Sequence, residues 1–323
     1  MVSGIFVADR EFRDRDLQQT METLLADGLR EAGVDVTTGG HSVLEKWDAD
    51  VVHLHHLANA CSRMFLPQRI PVVFTRHATK PLPQHHQAVL KATYRRASAV
   101  VALSKTEARG LNRSVAPEKL RTIYNGTDDR HFPLTMRARP RSRWRFVYVG
   151  QLIELKRVHL AVELIADLVA DGFDVELDVI SHRPTLLPEI LRLALDLGVA
   201  HRVNFHGPHT RSELGVALGN AHVLLQPSRT EALPTVVTEA IFSGLPVASF
   251  DVGGVSEQLP PGMALPAPSD IAGWRRMVRE ILSGYEAKLL DYAAHSTVAR
   301  QRFSIDEMVR EHIAMYRDVT DES

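Results

Sequence analysis

Two carboxylates, an ammonium and an imidazole have the types and spacing to hold vicinal hydroxyls and a phosphate. Glu231 and Glu239, with seven residues between them, bracket the run Glu231-Ala232-Leu233-Pro234-Thr235-Val236-Val237-Thr238-Glu239. A carboxylate accepts hydrogen bonds from two vicinal hydroxyls at once, which suits a ribose or a hexose. Pro234 sits where a helix can begin, since its missing N–H is no loss in a first turn. The remaining backbone N–H groups over Leu233 to Val236 are therefore unpaired at a helix start and can receive a phosphate. Lys156 lies near the start of another helix, where its charge and the free N–H groups both favour a diphosphate. His77 follows a strand, a place where an imidazole meets a ligand and either donates or accepts near neutral pH. An ordinary βα unit with a charged helix surface, a lysine at the start of a surface helix and a loop histidine packed on its neighbours are the structural alternatives.

The elements that must position these groups alternate strand and helix. Residues 2–8 read as a strand and 17–32 as a helix ended by Gly33, with Met21, Leu24, Leu25 and Leu29 at helical spacing. Residues 50–56 form a strand that places His53 and His55 on one face by the period of two. Strands follow at 70–75, 99–104 and 120–124, with Ser104 and Glu107 spaced as a capping box. His85 and His86 follow Pro81 and Pro83 as loop residues, and Tyr94-Arg95-Arg96 ends a helix with local positive charge. Asn125-Gly126 is a turn signal, and 135–143 lacks periodicity and fits a linker. A new strand at 145–149 leads to Gly150, where backbone can approach a ligand, and then to a helix with an apolar stripe from Val158 to Val169. Strands at 173–180, 203–206, 221–225 and 247–250 alternate with helices at 186–197, 211–218 and after Pro234. Helices at 271–282, 288–302 and 306–316 close the chain. This order predicts two doubly wound parallel-sheet α/β domains.

The 323 residues, 45% hydrophobic and 24% charged with net charge −1, suit a two-domain globular chain and exclude a broad nucleic-acid-binding field. One cysteine, Cys61, forms no internal disulfide and fits a reducing compartment. No apolar run approaches the ~20 residues that span a bilayer, and no basic region precedes an apolar stretch at the amino terminus, so a cytoplasmic location is expected. A His-x-His-x-Asp-His zinc motif fails at Leu57 and Ala58, and the Asp-x-Asp triplets at Asp14 to Asp16 and Asp48 to Asp50 lie in the first domain, so no metal ligand set is expected.

The run from Glu231 to Glu239, followed by Gly244-Leu245-Pro246-Val247, resembles the signature of retaining glycosyltransferases of family 4. Further stretches are similar to that family. Asp50-Val51-Val52-His53-Leu54-His55 matches a strand end, Asn125-Gly126-Thr127-Asp128 a turn near the domain hinge, and Val203-Asn204-Phe205-His206-Gly207 the border of the nucleobase. Asp251-Val252-Gly253-Gly254-Val255-Ser256-Glu257 is similar to its Gly-Gly-x-x-Glu. Gly150-Gln151-Leu152, a spacer and Lys156-Arg157 resemble its Gly-Arg-Leu to Lys-Gly motif, with Gln151 where Arg is usual and Arg157 where Gly is usual. Losing that charge-assisted contact removes about 1.5–3 kcal/mol unless Arg157 or Arg229 replaces it.

The resemblance implies the GT-B architecture, two Rossmann-like domains facing across a cleft. It implies an acceptor domain over residues 1–138, a nucleotide-sugar donor domain over 139–303, and a terminal helix over 304–323 crossing back to the first domain. The implied reaction is metal-independent transfer of a hexosyl group, with retained configuration, from a UDP- or GDP-sugar to a hydroxyl of a glycan, a lipid-linked saccharide or a small molecule. No cofactor is implied. His77, Lys156 and Glu231 take the catalytic roles. Gly150, Gln151, Lys156, Arg157, Phe205, Gly207, Glu231, Leu233, Pro234, Thr235 and Glu239 hold the donor, and Arg10, Arg13, His55 and Asn125 face the acceptor. Peripheral contact with an inner membrane face is a further expectation. A nucleotide-sugar-binding subunit without turnover, an epimerase and a phosphorylase of the same fold are the alternatives.

Overall fold

The structure is a computed structural model that describes residues 3–7, 20–39, 49–56, 69–77 and 84–321. The expectations at Arg10, Arg13, Cys61 and the triplet Asp14 to Asp16 lie outside these residues. The chain divides into two compact units, Met1–Gly126 with Arg302–Ser323, and Thr127–Gln301.

The first unit opens with β1 (Ser3–Val7), α1 (Met21–Glu31), β2 (Asp35–Gly39), β3 (Val51–His55), β4 (Val72–Thr75), α2 (Gln84–Arg96), β5 (Ala99–Ala102), α3 (Lys105–Leu111) and β6 (Leu120–Thr122). All its strands pair in parallel, in the order β2-β1-β3-β4-β5-β6. The order reverses between β1 and β3, so the carboxyl end of β3, where His55 sits, borders the switch point at which open α/β sheets bind ligands. β3, β4 and β5 are buried along their whole length, as expected for strands covered on both faces. Thr20 caps α1 by accepting from the Thr23 amide at 3.4 Å, and Leu24, Leu25 and Leu29 face the core. Ser104 caps α3, while the Glu107 carboxylate accepts from the Leu103 amide at 2.8 Å. One expectation is corrected: His85 and His86 belong to the first turn of α2 rather than to a loop.

The second unit contains β7 (Trp144–Val149), α4 (Val158–Ala170), β8 (Val175–Ile180), α5 (Leu187–Asp196), β9 (Val203–His206), α6 (Arg211–Asn220), β10 (Val223–Gln226), α7 (Thr235–Phe242), β11 (Val247–Ser249), α8 (Val255–Gln258), α9 (Ile271–Ser283) and α10 (Tyr285–Arg302). Its parallel sheet runs β11-β10-β7-β8-β9 and reverses between β7 and β10. The loops after these two strands, which carry Lys156 and Glu231, thus meet at the switch point. Thr210 starts α6 with a capping box to Glu213.

Residues 127–138 pack in the second unit rather than the first. The Arg137 guanidinium holds them there, donating to the carbonyls of Leu218 at 2.7 Å, Ala221 at 3.0 Å and Ser243. These carbonyls end or follow α6 and α7, where helix carbonyls lack partners and attract a cation.

The final helix, α11 (Ile305–Asp321), packs in the first unit against α1. A Cβ on Gly28 would lie 2.6 Å from Val309 Cγ2, so the missing side chain is what lets the two helices approach. On α11, His312 is buried and donates from Nδ1 to the Met308 carbonyl at 2.7 Å. Burial pushes its pKa down to about 4. The unfolded chain therefore binds this proton first, and the stability contributed by neutral His312 is present above about pH 6.5 and lost as pH falls toward 4. His312→Leu is expected to flatten the fall in thermal midpoint between those two values. An unchanged slope in calorimetry at stepped pH would contradict this.

Candidate functional site

In the second unit, Lys156 Nζ donates to both carboxylate oxygens of Glu231, at 2.6 and 2.7 Å. Gln226 Nε2, at the end of β10, donates to the same Glu231 Oε1 at 2.7 Å. Glu231 is 9% exposed and Lys156 25%, so the pair sits at the mouth of the switch point rather than in bulk water. Tyr148, one strand over, donates to the Gln151 carbonyl at 2.9 Å. Burial and the nearby Glu231 charge hold its phenol well above the usual range. Gly150 leaves room for this: a Cβ there would meet Tyr148 Oη at 3.1 Å. Leu233 is buried, Pro234 precedes α7 with extended backbone, and no side chain caps that helix. The amino terminus of α7 at Thr235 is therefore suited to an anion.

Eight residues beyond Glu231, Glu239 is buried on α7 and accepts from Arg211 Nη1 at 2.6 Å. Burial raises the Glu239 carboxyl above its ordinary range, opposed by the Arg211 charge and hydrogen bond. Arg211 lies 4.9 Å from the Phe132 ring centroid, and its Nε and Nη2 are buried without a hydrogen-bond partner. Phe205 lies in β9, the sheet's edge strand two strands out from β7, and Gly207 follows that strand.

In the first unit, the imidazoles form a chain at the ends of β3 and β4. His53 hydrogen-bonds Tyr316 Oη through Nδ1 and Thr75 Oγ1 through Nε2, both at 2.7 Å. Its ring lies 4.0 Å from that of His55, as the shared strand face requires. His55 Nδ1 is 2.9 Å from His77 Nε2, and His77 Nε2 is 3.6 Å from Glu22 Oε1. His56 adopts φ 65 and reaches Glu22 Oε1 with Nε2 at 2.6 Å. A non-glycine residue in that region is uncommon and signals constraint from its surroundings. Burial holds His55 well below the usual histidine range and pushes His77 down to about 4, so both rings are neutral at pH 7. Burial would raise Glu22, but the His56 hydrogen bond and the neighbouring imidazoles outweigh it and hold the carboxyl well below its usual range.

Comparison with known proteins fits both halves of this arrangement. The family of glycosyl transferases group 1 matches residues 137–294, and glycosyltransferase family 4 matches residues 40–131. The chain belongs to the GT-B glycosyltransferases of family-4 type. It is 27% identical over 277 residues to the glycogen synthase of Mycobacterium tuberculosis, covering 80% of this chain and 66% of that protein. It is 26% identical over 301 residues to the D-inositol 3-phosphate glycosyltransferase of Xylanimonas cellulosilytica, covering 87% and 69%. The chain thus spans about two thirds of the length of these curated relatives. Among solved structures, sucrose-phosphate synthase from Thermosynechococcus elongatus superposes with a TM-score of 0.86 at 18% identity, with both chains fully covered. Anabaena HepE, solved in complex with UDP and glucose, does so at 0.81 and 15%, covering 98% of this chain and all of that one. At these identities the two superpositions establish the fold.

Within this family-4 chain the expected site residues separate into groups. Gly150, Lys156, Glu231, Leu233, Pro234 and Thr235 gather at one switch point, and His55 and His77 at the other. Asn125 is not brought to His55: it follows β6, and β4 and β5 lie between β6 and β3. Nor does His55 face an open surface; it is 2% exposed, because β3 is a central strand buried along its length. Gln151 is partly exposed, with its amide nitrogen 3.4 Å from His182 Nε2.

Arg157 requires the largest correction. It does not replace the arginine missing at 151. Its guanidinium donates to the carbonyls of Pro227 at 2.8 Å, Pro268 at 2.7 Å and Ser228 at 3.0 Å, and stacks 4.4 Å from the Phe250 centroid. The residue itself has φ 48, the left-handed conformation for which glycine is the usual choice. These contacts offset the backbone strain and brace the loop that carries Glu231. Arg157→Gly is therefore expected to lower stability by about 1–3 kcal/mol, since the lost charge-assisted bonds outweigh the ~1 kcal/mol of strain relieved. Chemical denaturation checks it, and a stabilised variant would show that strain dominates. Arg229, the other candidate, is exposed, and its amide donates to the Leu155 carbonyl at 2.8 Å.

Residues absent from the sequence reading also line these sites. Gln226 ends an apolar strand, Arg211 opens a helix, and Glu22 lies on a helix beside its apolar stripe. For Gln226 a signal existed, since a polar residue in a buried strand needs a partner.

Proposed function

We propose that this chain transfers a hexosyl group from a UDP- or GDP-sugar to an acceptor hydroxyl, with retained anomeric configuration and no divalent ion on the diphosphate. The observation that carries the reading is the Lys156–Glu231 contact beside the uncapped start of α7, at the switch point of the second sheet. An ammonium already paired with a carboxylate exchanges that partner for an incoming phosphate without being buried unpaired. Lys156 and the α7 amide groups then stabilise the departing diphosphate, the part of the reaction where negative charge grows. The bond from the anomeric carbon to the phosphate oxygen breaks, the acceptor oxygen bonds to that carbon, and the acceptor's proton passes to the departing diphosphate. Glu231, released from Lys156, accepts from sugar hydroxyls, and Glu239 accepts from the ribose. His77 is assigned to the reacting side of the sugar.

The acceptor is a glycan, a lipid-linked saccharide or a small hydroxylated molecule; relatives named for inositol phosphate and for glycogen span that range. Tyr94-Arg95-Arg96 does not present a basic patch for a membrane surface. Tyr94 is buried and Arg96 Nη2 donates to the Ile70 carbonyl at 2.9 Å, so Arg95 is the exposed charge of the three. No helix among the described residues is long and apolar enough to cross a membrane.

Scanning fluorimetry against UDP-, GDP-, ADP- and dTDP-sugars tests the donor. A ligand at a hundredfold its Kd adds about 2.7 kcal/mol and a clear rise in midpoint. The rise is expected with UDP- or GDP-sugars and is expected to shrink in Glu239→Ala. No shift with any donor would refute the reading. A nucleotide-sugar-binding subunit without turnover is the second reading, favoured by Gln151 where the family has arginine. It predicts the same shift with no sugar transferred to any acceptor.

A further inference from the structure

We infer that Glu22, His55 and His77 form a binding site for a single divalent transition-metal ion, zinc above all, in the first unit. One ligand atom from each of the three residues lies within 4.8 Å of the other two. Ligand atoms around a tetrahedral zinc at 2.0–2.1 Å stand about 3.3 Å apart. The distances from His77 Nε2 to His55 Nδ1, 2.9 Å, and to Glu22 Oε1, 3.6 Å, straddle that value. Small side-chain movements therefore suffice to admit an ion. Two imidazoles and one carboxylate suit zinc in ligand type, and three protein ligands leave a fourth position for water or another oxygen.

The surroundings are those of a built site rather than a chance surface cluster. Glu22 and His55 are buried, and the His77 side chain is 12% exposed. The three come from separate elements, α1, β3 and the end of β4, which converge at the sheet's switch point. His56, in its strained left-handed conformation, holds the Glu22 carboxylate by donating from Nε2 at 2.6 Å. Hydrogen bonds of this kind orient metal ligands and tune their basicity. The proton now shared between His55 Nδ1 and His77 Nε2 would be displaced by the ion. With Nε2 on the metal, His77 carries its ring proton on Nδ1, so binding sets which face of the imidazole donates.

This inference shares His77 with the proposed transfer reaction but does not rest on that reaction, and its readouts need no sugar nucleotide. Full-length protein stripped with a chelator and dialysed is titrated with cobalt(II) alone, then zinc(II) alone. One equivalent of cobalt is expected to produce the visible ligand-field bands of a four-coordinate site, and zinc to bleach them. Zinc is expected to raise the thermal midpoint. Glu22→Gln, which keeps the shape of the side chain and its bond from His56, is expected to weaken binding at least tenfold, and His55→Ala to abolish it. Circular dichroism identifies any variant that fails to fold, in which case the wild-type cobalt spectrum and stoichiometry decide. Absence of the bands at micromolar cobalt overturns the proposal. So does binding that persists unchanged in folded Glu22→Gln and His55→Ala, which would place the ion elsewhere.

Discussion

Lys156→Ala is expected to lower kcat by about 10²–10³-fold, the loss seen when one preorganised group facing developing charge is removed. The donor KM should change far less, because the leaving oxygen carries its extra charge chiefly in the transition state. The substitution also leaves the Glu231 carboxylate, 9% exposed, with Gln226 as its remaining described donor. A buried charge deprived of its partner costs stability, here about 1–3 kcal/mol. Adding Glu231→Gln removes that charge and should restore most of the stability while leaving turnover low. A variant set that loses stability and activity in parallel, with both restored by Glu231→Gln, would reduce Lys156 to a structural counter-charge. Steady-state kinetics with the donor identified by fluorimetry, alongside denaturation of the wild type and both variants, separates the outcomes.

Gly253→Ala is expected to be strongly damaging to the loop that carries Glu231. Gly253 has φ 54, and a Cβ there would stand 2.2 Å from the Glu231 carbonyl oxygen and 2.5 Å from that of Ala232. Both neighbours are backbone, so relief requires moving the loop that carries Glu231. A cost of about 3 kcal/mol is expected, which lowers the midpoint of a unit this size by about 6–12 °C. A displacement of about 1 Å at a carboxylate with the sugar-orienting role proposed for Glu231 is worth about 10²-fold in turnover. Gly172→Ala supplies the control. Its φ is 85 with no atom within 4 Å of the added Cβ, so it reports the backbone cost alone. Calorimetry that finds the two variants equally stable would show that the loop yields freely and that the close approach has no role.

Much of the fold was legible because its signals are local. Apolar runs with helices between them, Ser104 ahead of a helix, and a glycine after a strand are short-range patterns that backbone physics reads directly. Lys156 and Glu231 were legible for the same reason, each lying just past a strand in a loop whose residue types suit an anion or a sugar. His85 and His86 were misplaced because a proline-rich approach reads as loop when the helix it opens lacks a strong apolar stripe. Arg157 was misread because charge suggested a phosphate contact. Only the fold shows three carbonyls within reach of its guanidinium.

By itself the amino-acid sequence determined two doubly wound parallel sheets, the glutamate pair and the lysine, since periodicity and spacing act over a few residues. The tertiary structure alone decided that Glu231 and Lys156, 75 positions apart, share two hydrogen bonds. It also decided that Arg211 pairs with Glu239, and that Glu22 meets His55, His56 and His77. These meetings depend on strand order and on where the order reverses. Parallel crossovers bring distant loops to one end of a sheet whatever their separation in the chain.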